Sequence, residues 1–303
     1  MRGRISPAEA QAVLRLAAAA AAADGVGPLS DQTVLHVRHG GDPGARNLLL
    51  WRGADLAGFA HLDAPGDPAA ARSGELAVHP AHRRQGLGRT LVQAATAEAG
   101  GRPVRLWAHG DLPAAAALAA STGLTRTRAL WRMSRSLRVP LAEPRLPPGI
   151  SVRTFVPGQD EPEWVALNGR AFADHPEQGR WTVQDIDERE HEPWFDPAGF
   201  FLAERDGRMA GFHWTKIHPV GPGPARGPVG EVYVIGVDPA EQGSGLGRAL
   251  TLVGLRYLRD RGLDGVMLYV EESNPAAIGL YESLGFARAG TDVMYGSGLT
   301  RPT

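Results

Sequence analysis

One stretch of this chain occurs twice. Glu75-Leu-Ala-Val-His-Pro-Ala-His-Arg-Arg-Gln-Gly-Leu-Gly-Arg89 aligns without a gap on Val234-Ile-Gly-Val-Asp-Pro-Ala-Glu-Gln-Gly-Ser-Gly-Leu-Gly-Arg248, 159 positions later. Each copy runs from an apolar segment ending at Val78 or Val237, through Pro80 or Pro239, into Gly-Leu-Gly-Arg. A strand that passes through a glycine turn into a helix aims several unpaired backbone N–H groups at one point, and the helix dipole adds partial positive charge there. A pyrophosphate is the expected guest, because glycine lets the backbone approach its oxygens closely. The pattern is not a Walker A loop, since no Gly-Lys-Ser/Thr follows. Nor is it Gly-x-Gly-x-x-Gly, since Leu91 and Leu250 stand at the third glycine's place.

The repeat extends beyond the turn. Leu48–Trp51, Arg52-Gly53 and Leu56–Ala60 read as a β-hairpin, as do Phe200–Ala203, Asp206-Gly207 and Met209–His213. After each Gly-Leu-Gly, apolar residues at helical spacing (Leu87, Leu91, Ala95; Leu246, Leu250, Val253, Tyr257) predict a helix closed by Gly100 or Gly262. A strand (Val104–Trp107; Val266–Val270) and a short helix ending near Leu124 or Phe286 follow. Pro140–Gly149 holds four prolines and a glycine in ten residues and can carry no helix. The expectation is therefore an α/β protein with a duplicated unit, residues 1–139 and 150–303 joined by a linker at 140–149.

A length of 303 residues supplies cores for both units, and 43% hydrophobic with 21% charged residues describes a globular chain. The absence of cysteine excludes disulfides, thiolate-bound metal and a cysteine nucleophile. No apolar run reaches the roughly 18 residues of a membrane span. The alanine-rich Leu16–Ala23 reads as a helix opened by Ser6-Pro7 rather than a leader, so a cytoplasmic location is expected. Residues 1–150 carry 18 arginines against 11 carboxylates, and residues 151–303 carry 14 Lys+Arg against 22, with Lys216 the single lysine. A basic first half suits phosphates and an acidic second half a cationic substrate. No arginine block with interleaved aromatics points to nucleic acid.

Both halves resemble the GNAT superfamily of N-acetyltransferases, on the Arg/Gln-x-x-Gly-x-Gly turn and on Asn274-x-x-Ala277-x-x-x-Tyr281-x-x-x-Gly285-Phe286. The resemblance implies two tandem GNAT-like domains, each a mixed, mostly antiparallel sheet flanked by helices. It also implies acetyl-CoA as co-substrate. In the first half its ligands would be Leu76, Ala77, Val78, Arg84, Gln85, Gly86, Leu87, Gly88 and Arg89. In the second they would be Ile235, Gly236, Val237, Gln242, Gly243, Ser244, Gly245, Leu246, Gly247, Arg248, Asn274, Pro275, Ala276, Ala277, Ile278 and Gly279. The amide at Val237 would polarise the thioester carbonyl.

Acetyl transfer to an amine needs a base for the ammonium, donors for the oxyanion and an acid for the departing thiolate. Glu231 shares strand parity with 233, 235 and 237, so it would face the thioester unless a bulge intervenes, and it sits at a reach suited to deprotonation through water. Tyr281, which would lie by the sulfur, or Tyr269 would return the proton. In the first half the aligned positions are Arg72, Leu112 and Ala119, so a cradle without base or acid is expected there.

Ala171–Trp181, Trp194–Gly199, Gly211–Pro219, Gly230–Pro239 and Trp107–Gly110 further resemble the mycothiol synthase branch of that superfamily. That resemblance implies a single small-molecule partner, a cysteinyl–glucosaminyl–inositol amine. Asp31, Glu177, Lys216, Glu231 and Tyr269 would contact it. Asp31 also reads as an N-cap, and Glu177 as a helix-entry acid. His175, His191, His213 and His218 lie nearby but lack His-Glu-x-x-His spacing, so no metal is expected. A monomer is expected. Two alternatives stay open: a GNAT for another amine or a protein N-terminus, and an acyl-CoA-binding regulator without turnover.

Overall fold

Ser6 opens the first helix, α1 (Pro7–Asp24), by a reciprocal cap: its hydroxyl accepts from the Glu9 amide and Glu9 accepts from its own. The computed structural model describes residues 3–40, 43–64, 71–173, 178–219 and 227–297. In the first half α2 (Asp31–His39) leads to the expected hairpin, β1 (Arg46–Arg52) and β2 (Asp55–Leu62). β3 (Arg72–Val78), α3 (Leu87–Glu98), β4 (Val104–Ala108), α4 (Pro113–Ser121) and the long β5 (Leu124–Ser136) follow.

The second half repeats this order behind one additional strand, β6 (Ile150–Thr154). It continues with α5 (Glu161–Ala171), α6 (Val183–Glu190), the hairpin β7 (Phe200–Arg205) and β8 (Arg208–His218), then β9 (Val229–Val237), α7 (Leu246–Asp260), β10 (Gly265–Glu271), α8 (Pro275–Ser283) and β11 (Ala287–Ser297). Residues 140–147 carry no regular element. Among the described residues no helix is long and apolar enough to cross a membrane.

Among the described residues the strands form one eleven-stranded sheet in the order β1-β2-β3-β4-β11-β5-β10-β9-β8-β7-β6. Only β3/β4 and β9/β10 run parallel among the described residues; the remaining pairs are antiparallel. The sheet is thus mixed and mostly antiparallel, as the resemblance implied. It also contains a feature the duplication does not announce. The last strand of each half lies inside the other half's sheet: β11 between β4 and β5, and β5 between β10 and β11.

The cores interlock accordingly. Val293 and Tyr295 of β11 pack with Val92, Ala95 and Leu106 of the first half. Met133 of β5, together with Leu137, packs with Leu252, Leu255 and Leu258 of α7. Met133 and Leu255 are fully buried, and each such side chain contributes about 1.5–3 kcal/mol relative to exposure. Separating the halves would therefore expose core on both sides as well as two sheet edges.

Candidate active site

The two glycine turns have matching backbones. Arg84 and Gly243 take φ of +62° and +78°, and Gly86 and Gly245 take +82° and +88°. Gly86 caps α3 and Gly245 caps α7, and neither N-cap residue supplies a side-chain bond; in α7 the Leu246 amide finds one nearby, a long 3.4 Å contact to Ser244 Oγ. First-turn N–H groups are thereby left for a ligand, the condition an anion cradle requires. Beside the first cradle lies a cleft of about 550 Å³ whose wall includes Leu76, Val78, Arg84, Gly86, Gly88, Leu112 and Leu118. Arg83 heads the motif but is not available to a phosphate. It grips both oxygens of Asp24 at 2.7 and 2.8 Å and donates to the Val78 carbonyl.

In the second half the strand before the cradle departs from the expected geometry. The β8/β9 register slips between Trp214 and Thr215: Trp214 faces Val234 while Thr215 faces Val232, and Tyr233 is the extra residue. Below the bulge Val232 packs toward α7, whereas Tyr233 packs in the aromatic core with Trp194 and Trp214; above it Ile235 and Val237 pack toward α7. Parity along 231, 233, 235 and 237 is therefore broken, because one inserted residue turns the strand over. Glu231 shares its face with Tyr233 and not with Ile235 or Val237. The same bulge marks where β9 parts from β10, since their pairing runs only from Gly230 to Val232. From Ile235 to Val237 the edge of β9 that faced β10 is unpaired, while the other edge stays bonded to β8.

Several of the sequence-derived residues meet below that opening. Lys216 on β8 stands opposite Glu231 on β9, and both are buried. The Lys216 ammonium lies 2.5 Å from Asp31, which α2 brings across from the first half. It also sits 4.4 Å from the Trp194 ring and 5.2 Å from that of Tyr233, a cation–π seat that holds a buried charge. Glu231 Oε2 lies 2.6 Å from His218 Nε2. Tyr269 follows Leu268, the last β10 residue paired with β9, and is 40% exposed. Burial, with the Asp292 and Glu231 carboxylates, raises its phenol pKa.

Tyr281 is set apart from this group. It belongs to the core beneath α7, edge-on to Phe286, and burial pushes its phenol up to about 12. Asn274 caps α8, accepting from the Ala277 amide at 3.0 Å, which fixes the segment Pro275–Gly279. Glu177 and His175 lie outside the described residues. His213 is fully buried, bonded through Nδ1 to the Leu250 carbonyl, and burial lowers it to about 4; His191 is exposed.

Sequence reasoning weighed His218 only as a metal ligand. It lies two residues beyond Lys216 on one strand, so parity alone could have placed it with Glu231. It also missed a buried triad in which His109 bridges Glu75 (3.2 Å) and Asp292 (2.9 Å). Burial opposes the imidazolium, but hydrogen bonds with Asp292 and Glu75 push it up to about 10. Glu75 further accepts from the amide of Ser30, the N-cap of α2, and so fixes the residue beside Asp31.

The profile of the acetyltransferase (GNAT) family matches residues 166–286, and that of an acetyltransferase (GNAT) domain matches residues 44–122. The mycothiol acetyltransferase of Thermobispora bispora is 64% identical over 96% of this chain and 97% of its own length. That of Streptosporangium roseum is 54% identical over 97% of each. Among solved structures, a GNAT-type acetyltransferase from Sphaerobacter thermophilus aligns with a TM-score of 0.72 at 27% identity, covering 97% of this chain and 93% of that one. A tandem GNAT protein of the clavulanic acid pathway shares the fold at a TM-score of 0.73 and 22% identity, covering 98% and 97%. The duplicated cradle, the interlocked halves and these full-length likenesses agree: the chain belongs to the mycothiol acetyltransferase family of tandem GNAT proteins.

Proposed function

We propose that this chain moves the acetyl group of acetyl-CoA to the cysteinyl amine of a cysteinyl–glucosaminyl–inositol, giving mycothiol, by direct attack with both substrates bound. The observation that carries the reading is the meeting of Glu231, Lys216 and Asp31 at the point where β9 and β10 part. The names of the full-length relatives support the amine.

Acetyl-CoA fits the second half. The start of α7 offers N–H groups to a pyrophosphate, and the unpaired edge of Ile235–Val237 offers strand bonds to an extended amide arm. The Val237 amide polarises the thioester carbonyl in this reading. Glu231 takes the ammonium proton through water and remains the proton acceptor as the C–N bond forms, with His218 steadying the carboxylate. Tyr281, or Tyr269, protonates the thiolate; a phenol near 12 is still protonated at neutral pH and keeps that proton to give. Lys216 and Asp31 hold polar groups of the substrate beside the amine, with Glu177 assigned to the same task.

The two halves, 1–139 and 150–303, divide the work in this proposal: the first binds acyl-CoA without turnover. Arg72, at the position aligned with Glu231, is occupied by the Asp63 and Gly44 carbonyls, and Leu112 and Ala119 stand at the acid's place. The test is acetyl transfer followed with the cysteinyl pseudodisaccharide, an aminoglycoside, a polyamine, an N-terminal peptide and no amine. Preference for the pseudodisaccharide is expected. Preference for another amine overturns the substrate, and absence of amine-dependent turnover overturns the enzyme.

A further inference from the structure

Away from the cradles, three side chains with metal-binding chemistry converge in the first half: His36 of α2, His61 of β2, and Asp63 just after β2. His36 Nδ1 lies 3.2 Å from His61 Nε2, and His61 Nε2 lies 3.4 Å from Asp63 Oδ1. A tetrahedral zinc with ligand bonds of about 2.0–2.1 Å has ligand atoms about 3.3–3.4 Å apart. The two separations through His61 therefore match two edges of such a site, and the three ligand atoms all lie within 4.8 Å of one another.

The supporting bonds select the ligand forms. His61 is 1% exposed, and its Nδ1 lies 2.8 Å from Asn47 Oδ1. The orientation of that amide is set by its Nδ2, which donates to the Gly3 carbonyl at 2.9 Å. His61 must therefore carry its proton on Nδ1 and turn the Nε2 lone pair toward His36 and Asp63. Metal-binding imidazoles are commonly held this way, by an acceptor on the far nitrogen. Asp63, with a 43% exposed side chain, leaves an entry path from solvent.

His36 is the adjustable member. Gln32 Nε2 faces its Nε2 at 2.8 Å, while Gln32 Oε1 accepts from Arg189. The His36 proton then sits on Nδ1 and bonds to His61. Loading a cation moves that proton to Nε2, where Gln32 Oε1 accepts it after the amide turns and gives up its bond from Arg189. No redox change is involved.

We infer that His36, His61 and Asp63 form a binding site for a zinc-class divalent cation, with water as the fourth ligand. Two imidazoles and one carboxylate favour zinc, cobalt(II) or nickel over magnesium or calcium, which prefer all-oxygen shells. Such a cation would fasten α2 to β2, and α2 carries the Asp31 that pairs with Lys216. The inference stands independently of which amine is acetylated. The sequence did not suggest it because the histidines are 25 positions apart and on different elements.

The test uses the full-length chain stripped with a chelator and titrated with zinc chloride or cobalt(II) chloride alone, read by calorimetry and by visible cobalt absorption. One equivalent at micromolar affinity, a cobalt spectrum of tetrahedral intensity and a rise in Tm with zinc are expected. His36→Gln and Asp63→Ala should each weaken binding by more than about 100-fold, and Asn47→Ala by about 10–100-fold. Asp63→Ala changes a partly exposed side chain, so its Tm without metal should match the parent, and His191→Gln should bind as the parent does. No zinc binding at micromolar concentration overturns the site, as does an octahedral cobalt spectrum or binding that survives both ligand substitutions.

Discussion

Glu231→Gln separates two tasks that a carboxylate beside an ammonium could have. The amide is nearly isosteric, and Glu231 is 7% exposed, so the packing around β9 is kept. His218, 2.6 Å from Oε2, still finds a partner in the amide. An α-amino group ordinarily titrates at about 7.7–8.0, so at pH 7 roughly one substrate amine in ten is already uncharged. If Glu231 only supplied that deprotonation, its loss would cost about 1 kcal/mol, at most tenfold in rate. If it removes the proton as the C–N bond forms, the loss is about 10²–10⁴-fold. The second outcome is expected at pH 7, with the deficit shrinking by about tenfold toward pH 9 as the amine sheds its own proton. KM for acetyl-CoA should stay within about twofold, because the cradle is untouched. Turnover must be followed by loss of the thioester, since the substrate's own thiol would mask released CoA in a thiol assay. A loss below tenfold at pH 7, or a deficit that does not change with pH, refutes Glu231 as the base.

Three further outcomes test the rest. At both Gly86 and Gly245 an added Cβ would meet nothing within 4 Å, so an aspartate there meets no clash; φ of +82° and +88° strains it by about 1 kcal/mol, and its charge opposes a pyrophosphate. Gly245→Asp should abolish transfer, whereas Gly86→Asp should remove one acetyl-CoA equivalent in calorimetry and leave kcat within about threefold; loss of turnover in Gly86→Asp refutes a non-catalytic first half. His109→Gln leaves Glu75 and Asp292 without their cation and should cost about 3–5 kcal/mol in urea unfolding at pH 6. The folded imidazole value of about 10 lies above its ordinary 6.5, so the stabilisation is complete below about 6.5 and is lost as the pH rises through 10. The penalty should therefore shrink at alkaline pH, and a pH-independent penalty refutes the charge assignment. Glu190 is pushed up to about 7 by burial and by the neighbouring Glu161 carboxylate. Its strain is absent below about pH 4.5 and complete above 7, so Glu190→Gln should stabilise the fold by about 1 kcal/mol at pH 8 and not at pH 4.5. Equal melting shifts at both pH values would refute it.

The parts of the fold that depend on neighbouring residues were legible in the sequence. The helix start at Ser6-Pro7, the two hairpins, and the glycine turns before α3 and α7 are each written within a few positions, and each stands where the pattern placed it. What escaped depends on partners far along the chain. Nothing local to Tyr233 announces a bulge, because the extra residue exists only relative to the opposing Trp214–Thr215 step. The exchange of β5 and β11 is likewise invisible to a repeat alignment, since each strand has the same pattern whichever sheet it enters.

That exchange explains why the first half is not dispensable. Cutting the chain near residue 140 would not isolate a functional unit. β5 would lose β10 and β11, the neighbours on its two sides, and β4 would lose β11. The second half would lose the strand beside Tyr269, which pairs with Arg132. It would also lose Asp31, whose carboxylate neutralises the buried Lys216, and an unpaired buried cation is costly. The chain of contacts from His109 through Glu75 and Ser30 to Asp31 runs from the wall of the first cleft to Lys216 in the second half. A first half retained for this framework needs its cradle's geometry and its ion pairs, and has no need of a proton acceptor where Arg72 stands.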